Sequence, residues 1–78
     1  MISKEEINEI QSELKKVPDV ITVSVDEPLG PYLRVSTSVN EYTMDVCLRI
    51  HEKEDELIKK YPHINLDIHV VFSGSRYI

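Results

Sequence analysis

Two pairs of residues in this chain have the types and spacing for chemistry. Cys47 and His51 stand four apart, and Asp67 and His69 stand two apart. On a helix the first spacing brings two side chains to the same side, one turn apart. On a strand the second brings two side chains to one face. Thiolate, imidazole and carboxylate are all zinc donors, but zinc takes three or four ligands and each pair supplies two. For Cys47 the plainer reading is a small buried hydrophobe, and for His51 a solvated residue. His69 has three functional readings: a metal ligand, a pH-sensitive contact, or an interface residue. Its bland reading is a solvent-exposed strand histidine facing Arg34. His63 follows Pro62 in a turn and is expected at the surface.

Catalysis finds no support in the sequence. There is no Gly-x-Ser-x-Gly elbow, no His-Glu-x-x-His and no phosphate-binding Gly-rich loop, and the chain has only two glycines. Cys47 has no neighbouring base except His51, and a thiol inside a helix is usually inert. The chain therefore reads as a non-enzyme. A net charge of −5 argues against binding a phosphate backbone. A strand surface that reads nucleic acid needs exposed aromatics, and only Tyr32 qualifies. No apolar run reaches the roughly 18 residues of a membrane span. The N-terminal Met1-Ile2-Ser3-Lys4-Glu5-Glu6 has no signal pattern, and the single cysteine makes no internal disulfide. A cytoplasmic location is expected.

Five elements must position these residues. Ser3 and Glu6 form a capping box, and Ile2 with Ile7 has the spacing of a hydrophobic staple. Ile7, Ile10, Leu14 and Val17 continue as one helical stripe that Pro18 ends. Ile21, Val23 and Val25 alternate with Val20, Thr22 and Ser24 as a half-buried strand. Glu27 to Pro31, with two prolines and a glycine, reads as a rigid turn without ladder pairing. Leu33, Val35, Thr37 and Val39 form the inner row of a second strand, antiparallel to the first. A second helix is expected from an Asn40 cap to the residue before Pro62, with Val46, Ile50, Leu57, Ile58 and Tyr61 on one side. Glu54 interrupts that stripe, as it would where the helix overhangs the sheet. Ile64, Leu66, Ile68, Val70 and Phe72 make the inner row of the last strand.

The order predicts an α+β fold. It is an αββαβ two-layer sandwich, with both helices on one face of a three-stranded mixed sheet, ferredoxin-like without its first strand. The helix linking the last two strands should make them parallel. One domain covers 1–72, followed by a flexible tail over 73–78. The other sheet face has no helix to cover it. It shows Tyr32, Arg34, Asp67, His69 and Val71 among polar neighbours, and Tyr32, Arg34 and Val71 are the candidate interface residues.

Val17-Pro18-Asp19-Val20-Ile21-Thr22-Val23 leaving the first helix, Tyr61-Pro62 closing the second, and Ile68-His69 in the last strand carry a resemblance. The chain, over roughly Glu5 to Val71, resembles the cytoplasmic C-terminal domain of cation diffusion facilitator transporters. That resemblance implies an αββαβ domain, commonly dimeric, with zinc sites. It places His69 at a metal-ligand histidine and Cys47 at a histidine early in the second helix. It also places Arg34 at a ligand histidine and Val71 where an acidic ligand often follows. Two readings of function result. One is a small non-enzymatic interaction or regulatory module acting as a homodimer or on another protein, with no cofactor. The other is a soluble divalent-metal sensor or carrier with His69 as principal zinc ligand, helped by Asp67 and Cys47.

Overall fold

A computed structural model describes residues 2–72, so the tail expected over 73–78 lies outside the described residues. The elements run α1 (Lys4–Lys15), β1 (Val20–Val25), β2 (Tyr32–Val39), α2 (Met44–Lys60) and β3 (Asn65–Phe72). The α1 capping box is present: the Glu6 backbone N–H donates to Ser3 Oγ at 3.1 Å, and the Ser3 N–H to Glu6 Oε1 at 2.9 Å. Ile2 is buried and Ile7 packs on the core, as a staple requires.

The sheet order is β1-β2-β3. β2 runs antiparallel to β1 and parallel to β3, as the crossover through α2 demands. Its inner row, Leu33, Val35, Thr37 and Val39, is wholly buried under Ile10 and Leu14 of α1 and Val46, Ile50 and Leu57 of α2. Each such aliphatic side chain contributes about 1.5–3 kcal/mol by leaving water. Thr37 Oγ1 is the exception in this layer, a buried hydroxyl with no hydrogen-bond partner among the described residues.

Several expectations are corrected. The sheet register slips between Val20 and Thr22, so Ile21 is an extra residue in β1. This bulge reverses the facing of the strand's start. Val20 packs against the core while Ile21 is 48% exposed. The Asn40 cap is displaced to Thr43, whose Oγ1 accepts the Val46 N–H at 3.2 Å. Asn40 is drawn instead into the strand end, where its N–H donates to the Asp19 carbonyl. The Glu27–Pro31 turn does hold a bridge, since Leu29 and Tyr32 exchange both backbone hydrogen bonds. Gly30, at φ +62, supplies the positive φ this tight reversal needs. Phe72 ends β3 at 52% exposure rather than in the core.

The helices meet along a charged seam. Glu6, Glu9 and Glu13 of α1 face His63, Lys60, Tyr61 and Lys53. Lys53 Nζ lies 3.3 Å from Glu13 Oε1, and His63 Nε2 lies 2.7 Å from Glu6 Oε2. Lys60 and Tyr61 both reach Glu9. The break in the α2 stripe is thus filled by a lysine that ties the helices together. Beside it, the largely covered Glu54 side chain pairs with His51 at 3.3 Å.

Candidate functional site

The open sheet face gathers the polar residues of β2 and β3. In the parallel register Tyr32 lies beside Asn65, Arg34 beside Asp67, Ser36 beside His69 and Ser38 beside Val71. His69 therefore does not face Arg34, as the sequence reading had it; the register places it two residues further along. Asp67 is the centre of the group. Tyr32 Oη donates to Asp67 Oδ2 at 2.6 Å, and His69 Nε2 lies 3.1 Å from the same oxygen.

These contacts set the electrostatics. The hydrogen bond from Tyr32, then that from His69, favours the charged carboxylate and holds Asp67 below its ordinary pKa. Reciprocally, the bond to Asp67 pushes the Tyr32 phenol up. The Asp67–Tyr32 link was missed at the sequence level, because it joins residues 35 apart and needs the parallel register. Asp67 and His69 side chains are 43% and 44% exposed, so both remain reachable from solvent.

The other candidates stay apart. Cys47 is a free, half-buried thiol on α2, while Asp67 and His69 lie on the sheet face away from the helices. Among the described residues no three His, Cys, Asp or Glu side chains gather as a metal site. Arg34 and Val71 are exposed, and Tyr32 is half-buried beside Asp67.

Imidazole and carboxylate are both zinc donor types, but the 3.1 Å between Nε2 and Oδ2 is a hydrogen-bond distance, with the two groups turned toward one another rather than toward a third point. Tyr32 bonds the same carboxylate oxygen.

Comparison with solved structures bears on the fold. A structure of CzrB, a proposed zinc transporter, matches with a TM-score of 0.69 and 22% identity, over 95% of this chain and all of that one. The chain has the fold of the cation diffusion facilitator C-terminal domain. The zinc form of CzrB matches with a TM-score of 0.67 and 22% identity, covering 99% of this chain and 96% of that one. The copper form of the MamM C-terminal domain matches with a TM-score of 0.62 and 16% identity, covering 95% and 91%. No family model matches the sequence, and no curated protein does. No helix among the described residues is long and apolar enough to cross a membrane.

Proposed function

We propose that this chain is a non-catalytic cytoplasmic module that senses or carries a divalent cation, bound between two copies of itself. The observation that carries the reading is the Asp67–His69 pair. It sets two zinc-type donors, an imidazole and a carboxylate, side by side on the open face of a fold that CzrB adopts in a zinc form. One chain offers two donors, and zinc needs three or four. A second copy brings the number to four, which joins the homodimer expected from the bare sheet face to the metal reading. His69 is the principal ligand and Asp67 its partner; Cys47, on the other side of the sheet, has no part. Bound zinc would supply a fixed charge that links the two chains.

Calorimetric titration of tag-free protein with Zn²⁺ tests this. Micromolar or tighter binding, one ion per two chains, is expected, with loss of about tenfold or more in His69→Ala, whose missing imidazole takes a ligand from each chain. Absence of heat, with no change in Tm at excess zinc, ends the cation reading.

A second reading keeps the homodimer and removes the metal, leaving an interaction or regulatory module. It is favoured by Arg34, an exposed guanidinium in register with Asp67, whose charge opposes a cation there. An unchanged dimer after chelation, together with a silent zinc titration, selects it.

A further inference from the structure

α2 carries two apolar stripes, and the core uses one of them. Val46, Ile50 and Leu57 are buried in the core. Met44, Leu48 and Ile58 stand on the outer side, 79%, 53% and 41% exposed. No large apolar side chain of α1 is exposed in this way. The outer three are not scattered. With His51 and Asp55, both exposed, they recur at intervals of four, three, four and three. That is the 3.5-residue repeat by which one helix lies along another. The row runs from Met44 to Ile58, about 21 Å of helix.

The row is bordered by acids that hold no base. Asp45 and Glu52 flank it, and Asp55 lies in it. None of the three has an ion-pair partner among the described residues. Arg49, one turn after Asp45, reaches Asp19 instead, at 3.9 Å. By contrast Glu6, Glu9 and Glu13 of α1 each hold a base. The helix dipole accounts for Asp45 in the first turn, but not for Glu52 or Asp55 further along. An exposed apolar row rimmed by unpaired charge of one sign has the make-up of a contact surface.

We infer that the outer row of α2 docks a basic amphipathic helix of another protein. The partner lays its apolar side on Met44, Leu48 and Ile58 and sets lysines or arginines beside Asp45, Glu52 and Asp55. Apolar residues along such a seam supply the burial, and the charges that border it choose the partner. Asp55 adds register, because a cation opposite it fits at one position only. A second copy of α2 is a poor occupant, since it carries the same excess of acid and gathers like charges along the seam. The row lies on the side of α2 away from the sheet, whereas Asp67 and His69 lie on the open sheet face. The inference therefore goes beyond the cation reading and does not rest on it.

Cys47 reports on the row. It is the one cysteine of the chain, half-buried, and its helical position borders Met44 and His51. The probe is a synthetic helical peptide of about 18 residues, long enough to cover the row. It has leucine at the same four-three spacing and lysine along both borders; a control peptide has glutamate for each lysine. On the unmodified chain, lysine peptide at ten times its Kd should slow alkylation of Cys47 by iodoacetamide about tenfold, and the glutamate peptide should not. Leu48→Ser should weaken the lysine peptide about tenfold, while Leu29→Ser, also at an exposed site, should leave it unchanged. Asp45→Lys/Glu52→Lys should exchange the preference, so that the glutamate peptide protects Cys47. Glu5→Lys/Glu27→Lys makes the same change of net charge off the row and should keep the original preference. Equal protection by both peptides, or loss of binding in Glu5→Lys/Glu27→Lys, reduces the contact to general charge attraction and overturns the inference. So does a dimer in sedimentation that Leu48→Ser dissolves, which gives the row to a second copy. Faster Cys47 alkylation in Tyr77→Ser/Ile78→Ser gives it to residues 73–78 and overturns the inference as well.

Discussion

Thr37 shows how one atom can count against an otherwise apolar layer. Its side chain is fully buried in the central strand, and its hydroxyl has no partner among the described residues. A buried polar group left unbonded costs about 1–3 kcal/mol. Thr37→Val keeps the branched shape and β preference while removing the oxygen. It should stabilise the domain by about 1–2 kcal/mol, read as a higher urea midpoint at unchanged slope. A loss of stability would show that the hydroxyl is bonded. At the same scale, Asp67 and His69 were legible as a pair, since strand alternation alone puts them on one face. Tyr32 was legible only as an exposed aromatic; the hydrogen bond that gives it a role depends on which strand lies beside it, and by how many residues it is shifted.

Among the elements, β1 is where alternation misled. The sequence Val20-Ile21-Thr22-Val23 reads equally well with Ile21 inward, and a bulge leaves no mark in hydrophobic periodicity. Its reason is geometric: one inserted residue lets Val20 and Val23 both reach the core, beside Val39 and Thr37. Two substitutions separate the readings. Ile21→Thr should change stability by less than about 0.5 kcal/mol, as at an exposed site, while Val23→Ala should cost about 2 kcal/mol through the lost methyls and the cavity. Equal costs in thermal melts would return Ile21 to the core. The start of α2 failed for a related reason. Asn40 and Thr43 are both good caps, and the choice between them is made by Asn40 bonding Asp19 across the sheet end. The α1 capping box and stripe, by contrast, rest on contacts within one helix, and these were readable in full.

At the scale of the molecule, the α1–α2 seam ties stability to pH. The hydrogen bond to the Ser3 backbone, with that to His63, lowers the Glu6 pKa from its ordinary value of 4.5. Lys60 and then Tyr61 do the same for Glu9, and Lys16 and then Lys53 for Glu13. Carboxyls whose folded pKa is depressed favour the folded state above the unfolded pKa, and that contribution is lost as pH falls through the folded value. Stability should therefore be level above about pH 5 and decline below it. Glu6→Gln/Glu9→Gln/Glu13→Gln should flatten the decline in urea midpoints recorded against pH. A decline of unchanged size would place its origin elsewhere, with Asp67 the first alternative.

The parallel register of β2 and β3 also orders events in time. Their partners, such as Arg34 and Asp67, lie 33 residues apart, whereas Val25 and Val35 of the hairpin lie 10 apart. Closing the longer loop costs more chain entropy, so α1 and the hairpin are expected to assemble before β3 docks. β3 carries both Asp67 and His69, and none of its residues is buried. A contact that engages that pair should therefore hold β3 in place, read as slower hydrogen exchange along the strand.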